Sequence, residues 1–188
     1  MTGKNDSDQH LMTLLGIALS TRGKTFIELG VRSGTTTKPL KLAAKLCDGK
    51  LFSIDIDKNP FKKSSTKHWE YFERNAIDFL LEWEYFKNPI PDLIYIDDWH
   101  SYEHVKAELD ILDRIVSPKT VILLHDLMYG NTTPYYHADL TLKDGQWASG
   151  GPYRAVAELN PQFWEFSTIP YNNGLTLLRK KYSNKYNS

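Results

Sequence analysis

Four acidic residues stand where apolar segments of the sequence end, and each of these segments is predicted to be a buried strand. They are Glu28, Asp55, Asp97 and Asp126, at the ends of the runs 25–29, 50–56, 92–97 and 120–124. The carboxyl ends of parallel strands meet at one edge of a sheet, which is the edge where such sheets bind ligands. Carboxylates gathered there can accept hydrogen bonds, balance a cation or hold a metal ion. The spacing therefore predicts an acidic binding site at that edge.

A glycine loop follows the first of these strands, with Gly30 and Gly34 before a helix that hydroxyl residues such as Thr35 can cap. A tight turn without a ligand is the alternative reading of the two glycines. A dinucleotide site is disfavoured, because a carboxylate at position 28 would repel a pyrophosphate. The sequence also lacks the G-x-x-x-x-G-K-[ST] phosphate loop. A cationic ligand without phosphate fits this loop better.

S-adenosylmethionine is such a ligand, since it carries a sulfonium, an ammonium and an adenosine. Asp55 follows Glu28 by 27 residues and suits a bidentate contact with the ribose diol. A third strand is predicted over 69–75 and a helix over 78–86. Asn75 and Ala76, where that strand ends, are predicted to contact the adenine edge. The residues expected to bind this cofactor are Glu28, Gly30, Gly34, Thr35, Asp55, Asn75, Ala76 and Asp97.

These residues give the chain a resemblance to the class I S-adenosylmethionine-dependent methyltransferases. Glu28-x-Gly30-x-x-x-Gly34 is similar to the first cofactor motif of that family, and Asp55 to its acid after the second strand. The resemblance covers nearly the whole chain. It implies a Rossmann-like sheet that is mostly parallel and closes with an antiparallel C-terminal strand.

A second resemblance lies in the segments 94–103 and 123–126. They are similar to a branch with cephalosporin-type and macrolide-sugar O-methyltransferases, relatives of the catechol O-methyltransferases. This resemblance implies a divalent metal, usually Mg²⁺, held by Asp97 and Asp126. It also implies that His100 is the general base on the substrate hydroxyl, so that Asp97 and His100 are the predicted catalytic residues.

Two positions depart from that pattern, and they leave the metal site open. Leu127 stands where the catechol enzymes place an asparagine, and His125 stands where the sugar-modifying relatives place an acid. His125 is included in the expected metal set with Asp97 and Asp126, but imidazole is a softer ligand than Mg²⁺ prefers. The alternatives are that the site is incomplete, that it prefers manganese or iron, or that Asp98 is a ligand in place of His125. A buried, hydrogen-bonded role is the alternative for His125.

Other roles remain open for the residues between the fourth strand and the next helix. Ser101 is the predicted N-cap of that helix, and capping is also the alternative role for Asp97 and Asp98, since aspartate is a favoured N-cap residue. His100 could be a solvated turn residue, and His10, His68 and His104 are expected at the surface. These alternatives require no ligand.

Strands alternate with helices over the first two thirds of the chain, which favours a doubly wound α/β sheet. Two apolar runs, 163–169 and 174–179, predict a closing antiparallel hairpin. We expect one domain over residues 1–188, with an N-terminal helix within 1–23 capped by Asp6 or Ser7, and a flexible tail at 180–188. The long aromatic segment 128–150 is predicted to be a loop that determines the acceptor.

Composition restricts the partners. The 188 residues carry a formal net charge of zero, so no basic excess points to nucleic acid. We expect neither a membrane span nor a signal peptide, and the single cysteine fits the reducing cytoplasm. The short N-terminal helix leaves room for a homodimer in which a second subunit covers the neighbouring face.

The sequence therefore predicts an S-adenosylmethionine-dependent methyltransferase that methylates an oxygen of a small hydroxylated acceptor, with or without a divalent metal. Two alternatives are kept. One is a methyltransferase-fold protein that binds the cofactor without turnover and acts as an interaction module. The other is a nicotinamide oxidoreductase, which Glu28 disfavours.

Overall fold

The computed structural model describes residues 6–61, 65–129, 133–134 and 150–182. The described chain begins with a 3-10 helix, Asp6–His10. The α-helices are α1 Leu11–Thr21, α2 Thr37–Leu46, α3 Ala76–Tyr85, α4 Tyr102–Ile115 and α5 Gly151–Ala157. The strands are β1 Thr25–Leu29, β2 Lys50–Asp55, β3 Ser65–Thr66, β4 Trp69–Glu73, β5 Leu93–Ile96, β6 Val121–His125, β7 Met128–Tyr129, β8 Thr133–Pro134, β9 Trp164–Ile169 and β10 Leu175–Lys180.

Eight of these strands form one sheet in the order β3-β4-β2-β1-β5-β6-β10-β9. Strands β4, β2, β1, β5 and β6 are parallel to one another. Strand β3 is antiparallel to β4, and β10 is antiparallel to β6 and to β9. The expected mostly parallel α/β sheet with a closing antiparallel hairpin is confirmed. The chain order reverses between β1 and β5, so the crevice at the carboxyl ends of these two strands is where such a sheet binds ligands.

Helices cover both faces of the sheet. On one face, apolar residues of α1 and α2 such as Leu14 and Leu40 pack on Phe26 of β1. On the other face, α3, α4 and α5 contribute Leu80, Leu109 and Ala155 to a second cluster. The central strands are buried on both sides, as their continuous apolar runs predict.

Helix starts differ from the sequence expectations at two places. Helix α3 begins at Ala76 because Asn75 is its N-cap, with Oδ1 accepting the backbone N–H of Ile77 at 2.8 Å. Asn75 therefore does not end a strand. Neither Asp6 nor Ser7 caps α1: the cap residue is His10, which makes no side-chain cap bond.

The expected tail and long loop fall largely outside the described residues. Lys180 is the last residue of β10 and pairs with Trp164, so it does not belong to a tail. Residues 183–188, and most of the segment 128–150, are outside the described ranges. Within that segment the structure describes a short antiparallel pairing of β7 with β8, which the sequence pattern did not indicate.

Candidate active site

The loops after β1 and β5 are in contact at the carboxyl edge of the sheet. Gly30 has φ of +88°, and a Cβ atom there would lie 2.1 Å from the carbonyl oxygen of Asp97. Gly34 has φ of +74°, and its Cβ would lie 2.2 Å from the ring of Phe61. Only glycine combines a positive φ with this close approach. The two glycines are therefore required by the packing of the loop, whether or not a ligand lies on it.

Glu28 lies beneath this loop and is fully buried. Its carboxylate accepts hydrogen bonds from the hydroxyls of Thr36 (2.8 Å), Thr37 (2.8 and 3.0 Å) and Ser53 (2.6 Å). Burial raises the pKa of Glu28 to about 7, although the three hydroxyls favour its charged form. The carboxylate joins β1, β2 and the start of α2. Its position therefore favours a structural role over the expected direct contact with a cofactor. The two threonines bond Glu28 and do not cap α2 with their side chains.

Asp55, at the end of β2, holds the same loop from its other side. Its Oδ2 accepts the backbone N–H groups of Val31 and Arg32, both at 2.7 Å, and its Oδ1 accepts that of Asp57 at 3.0 Å. A carboxylate oxygen has two acceptor sites, so Oδ1 keeps one for a ligand hydroxyl. The position beside the glycine loop fits the expected ribose contact.

The other residues expected at the cofactor lie farther along the same edge. Thr35 is half-buried, and its hydroxyl bonds that of Ser33 at 3.0 Å. Asn75 uses Oδ1 to cap α3, and Ala76 is buried in the core cluster. An adenine contact by Asn75 and Ala76 stays a prediction.

Asp97 lies at the centre of the crevice, directly after β5. Its Oδ2 accepts the hydroxyl of Tyr95 at 2.9 Å and that of Ser7 at 2.9 Å. Its Oδ1 faces two histidines, with Nε2 of His100 and Nδ1 of His125 each at 3.5 Å. The helix that follows is capped by Ser101, whose Oγ accepts the N–H of His104. Capping is therefore not the role of Asp97 or Asp98.

Asp126 approaches the same group from the end of β6. It is 3% exposed and has φ of +65°, a left-handed conformation that aspartate tolerates better than most residues. Its Oδ2 lies 2.8 Å from Nε2 of His100, and its Oδ1 lies 3.2 Å from Nδ1 of His125. One ligand atom from each of Asp97, His100 and Asp126 lies within 4.8 Å of the other two. His100 thus belongs to this group and is not a solvated turn residue.

His125 is held by both of its ring nitrogens. Its Nε2 lies 3.0 Å from the carbonyl oxygen of Asn172, which can only accept, so Nε2 carries a proton and donates it. The Nδ1 atom faces both carboxylates. His125 is fully buried, in agreement with the alternative reading of a buried, hydrogen-bonded histidine.

Two aspartates and two histidines form an ion quartet. Burial opposes the charge of His100, but hydrogen bonds to Asp126 and Asp97 outweigh it and raise the pKa of His100 to about 10. The pKa of His125 is raised well above its ordinary value by the same two carboxylates, against burial. The pKa values of Asp97 and Asp126 are lowered despite burial, because both histidines favour their charged forms. The quartet is close to neutral as a whole.

The donor set can be compared with the ion that the family resemblance implies. Mg²⁺ prefers oxygen ligands, whereas imidazole suits Fe²⁺ or Zn²⁺. The carboxylates of Asp97 and Asp126 fit either class, and His100 supplies the nitrogen that comes with them. The residues fit a transition-metal ion better than Mg²⁺.

Three residues of this site carry no signal in the sequence. Ser7 bonds Asp97, and His10 is fully buried, with Nε2 3.1 Å from the carbonyl oxygen of Tyr171 and its ring stacked on the Tyr171 ring. The prediction of a surface position for His10 is therefore wrong. These contacts join segments about ninety or more residues apart in the chain, and no local pattern reports them.

Comparison with known proteins agrees with this geometry. Residues 27–127, more than half of the chain, match the model of a methyltransferase domain family, and the chain belongs to that family. The matched segment includes the glycine loop, Asp55, Asp97, His100 and Asp126. Comparison with curated proteins gives no match.

Several solved methyltransferase structures have the same fold at low sequence identity. An O-methyltransferase from Bacillus cereus in complex with SAH gives a TM-score of 0.66 and 15% identity, over 96% of this chain and 93% of that chain. A putative caffeoyl-CoA O-methyltransferase from Staphylococcus aureus gives 0.70 and 13%, over 92% and 83%. An SAH-bound methyltransferase from Podospora anserina gives 0.67 and 16%, over 96% and 84%. The class I methyltransferase fold expected from the sequence is confirmed. None of the helices in the described ranges has the length and apolar content that crossing a membrane requires.

Proposed function

We propose that the chain is a cytoplasmic S-adenosylmethionine-dependent methyltransferase that methylates an oxygen of a small hydroxylated acceptor. The observation that carries the proposal is the meeting of Asp97, His100 and Asp126 beside the Gly30 loop, at the switch point of a methyltransferase-family sheet. The solved neighbours that bind SAH or are named as O-methyltransferases support the same cofactor and the same class of acceptor atom.

The cofactor lies along the crevice in this proposal. The Gly30 loop allows close approach of its backbone, and the free acceptor site of Asp55 Oδ1 takes a ribose hydroxyl. Asp97 balances the positive charge of the methionine part, because it is the carboxylate at the centre of the crevice. Bound S-adenosylmethionine supplies an electrophilic methyl group, which passes to the acceptor oxygen and leaves S-adenosylhomocysteine.

His100 and Asp126 orient the acceptor. His100 Nε2 lies 2.8 Å from Asp126 and 3.5 Å from Asp97, so it points into the space between the two carboxylates. The two carboxylates favour the protonated form of His100, so His100 first has to lose that proton to solvent. A substrate hydroxyl that enters this space then gives its proton to the neutral imidazole as the oxygen bonds to the methyl carbon. Asp97 and Asp126 are the residues that would hold a divalent ion, and such an ion would supply Lewis acidity toward the acceptor hydroxyl. Alignment of the acceptor oxygen, the methyl carbon and the sulfur supplies most of the remaining rate enhancement.

Calorimetry with S-adenosylmethionine and S-adenosylhomocysteine tests the cofactor. We expect Asp55→Ala to weaken binding at least tenfold and Asp55→Asn, which keeps one acceptor oxygen for the loop, to weaken it less. Asp57→Ala is the matched control, since Asp57 is exposed two residues away and bonds Asp55 only through its backbone. Absence of binding to both compounds by the wild type would contradict the proposal, and binding of NADPH in their place would favour the oxidoreductase.

Formation of S-adenosylhomocysteine with a panel of catechols, sugars and polyketide-like alcohols tests the reaction. We expect His100→Ala to lower kcat about a hundredfold or more with a smaller change in KM, as for a residue that acts on the proton in transfer. The rival function is cofactor binding without turnover. The quartet favours it because the two histidines already pair with its carboxylates. Tight cofactor binding with no product from any acceptor, with or without Mg²⁺, Mn²⁺ and Fe²⁺, would select this rival.

A further inference from the structure

A second group of acidic and histidine side chains lies next to the proposed active site but does not share its residues. It consists of Asp98, which follows Asp97 in the chain, and of His104 and Glu108 on α4. His104 and Glu108 are four residues apart, so they lie on the same face of the helix. The Ser101 cap fixes the first turn of α4 and with it the position of His104. The group is thus built on a regular element and not on a loose loop.

The three side chains converge on a small volume. Nε2 of His104 lies 2.8 Å from Oδ2 of Asp98 and 3.5 Å from Oε1 of Glu108. One ligand atom from each residue lies within 4.8 Å of the other two. The side chains of Asp98 and His104 are 16% and 14% exposed, which leaves a path from solvent, whereas Glu108 is fully buried.

Glu108 has no hydrogen bond that accounts for its burial. Neither of its carboxylate oxygens has a hydrogen-bond partner among the described residues, and Oδ1 of Asp98 is also buried without one. A buried polar atom without a partner costs roughly 1–3 kcal/mol, and more if it is charged. Two carboxylates beside one histidine leave an excess of negative charge. A buried cation, or a proton kept on Glu108, removes this cost.

The proton is the competing explanation. Burial and the neighbouring Asp98 raise the pKa of Glu108 to about 8, whereas His104 lowers it. The carboxylates of Asp98 and Glu108 raise the pKa of His104 to about 10 against the effect of burial. In the absence of a cation, the group therefore holds two protons at neutral pH, which a cation would have to displace.

We propose that Asp98, His104 and Glu108 bind a divalent cation of borderline softness, for which Zn²⁺ is the probe. One imidazole with two carboxylates is a ligand set that suits Zn²⁺ or Fe²⁺ better than Mg²⁺ or Ca²⁺. Two ligands at roughly 2.1 Å from a tetrahedral ion lie about 3.4 Å apart. The His104–Glu108 distance of 3.5 Å is close to this value, and the His104–Asp98 distance of 2.8 Å has to open by about 0.6 Å. The two carboxylates balance the charge of the ion, and water completes its coordination.

This site is distinct from the Asp97 group and does not depend on the proposed methyltransferase activity. Its effect is to fix the segment 97–101 against α4, since it ties Asp98 to the helix. The cation serves structure and positioning, because among the described residues its ligands contact one another and not the space between Asp97 and Asp126.

Zn²⁺ binding to the chelator-treated full chain tests the proposal, by competition with a chromophoric chelator. We expect Glu108→Gln and His104→Asn each to lower the affinity of one Zn²⁺ equivalent about a hundredfold. Glu103→Gln is the matched control, because Glu103 is an exposed carboxylate on the first turn of the same helix. Equal Zn²⁺ binding by the wild type and both variants would overturn the proposal.

Diffraction data from wild-type crystals soaked in Zn²⁺, collected at the zinc edge, keep the proposal testable even if a variant does not fold. An anomalous peak bounded by Asp98, His104 and Glu108 is the expected result. A peak only at Asp97 and Asp126, or none at either group, would overturn it. A lost cofactor site with a retained Zn²⁺ site would reject the proposed function and leave this inference standing.

Discussion

Two glutamates of this protein are fully buried, and their surroundings are opposite. Glu28 accepts hydrogen bonds from three hydroxyls on two segments of chain. Glu108 has no hydrogen-bond partner in the described structure and lies beside a second carboxylate and a histidine. The fold therefore supplies hydrogen-bond donors to the carboxylate of Glu28 and supplies none to that of Glu108.

This difference in hydrogen bonding indicates which of the two buried carboxylates is a candidate to bind a ligand. A carboxylate whose acceptor sites are filled by the protein supports structure, and Glu28 belongs to this class even though the sequence placed it in the cofactor motif. A buried carboxylate without partners needs a proton or a cation. Substitutions at or beside the two glutamates test this contrast, and they are given in order of decreasing expected change in the free energy of unfolding.

Removal of the Glu28 side chain is expected to have the largest effect. Glu28→Ala leaves three buried hydroxyls without their acceptor and opens a cavity beneath the glycine loop, so we expect a loss of about 3–5 kcal/mol in the free energy of unfolding. Urea denaturation at pH 7 measures it, with Glu73→Ala at the exposed end of β4 as the control. A loss below 1 kcal/mol would show that these hydroxyls find other partners.

The pH dependence of stability should report the same residue. The pKa of Glu28 is raised to about 7 by burial, above its ordinary value of 4.5, so the folded protein holds the proton more tightly than the unfolded chain. Its contribution therefore falls as pH rises from about 4.5 to about 7 and is constant above, a change of about 3 kcal/mol. Relative to wild type, Glu28→Gln should gain stability across this window, as measured by urea denaturation from pH 4.5 to 8. A difference independent of pH would contradict the raised pKa.

Loss of one hydroxyl donor should cost less than loss of the carboxylate. Thr37→Val removes the hydroxyl that lies 2.8 and 3.0 Å from the two oxygens of Glu28 and keeps the shape of the side chain. We expect a loss of roughly 1.5–3 kcal/mol, as for a hydrogen bond to a charged group. Thr35→Val, whose hydroxyl meets only Ser33 in the described contacts, should change stability by less than about 0.5 kcal/mol. Equal effects of the two variants would show that the buried bond is not worth more than the exposed one.

Glu108→Gln should have the smallest effect in chelator-treated protein. No hydrogen bond of the wild-type carboxylate is lost, so we expect the free energy of unfolding to change by no more than about 1 kcal/mol. Adding Zn²⁺ should raise the melting temperature of the wild type and leave that of the variant unchanged. A large loss of stability without metal would mean that Glu108 has partners in solution, and the contrast with Glu28 would disappear.

The sequence predicted the parts of the fold that local pattern determines. Strand β1 was placed at its observed bounds, because an apolar run ends at a glycine that the backbone requires. The Ser101 cap and the closing hairpin were also recognised from local signals. Asn75 was misassigned to a strand, because an N-cap residue has the extended conformation of a strand end.

The site was predicted less completely, since its contacts join distant segments. The grouping of Asp97 with Asp126 followed from strand ends, but the bond of Ser7 to Asp97 spans ninety residues and had no signal. The surface position expected for His104 was wrong: it is 14% exposed, because its ring turns toward Asp98. The two-residue strands β3, β7 and β8 were missed because they are too short to show alternation.

Asp97 and Asp98 are neighbours in the chain, yet they serve two different groups of side chains. Their Cα atoms are about 3.8 Å apart across one planar peptide unit, so a backbone shift at one is felt at the other. A ligand that moved the backbone of Asp98 toward α4 would therefore also change the position of Asp97 in the crevice. Such an influence is mutual. If an ion at the Asp98 group changes the affinity of a ligand for the Asp97 group by some factor, that ligand changes the affinity of the ion by the same factor. One peptide unit would then link the two groups thermodynamically.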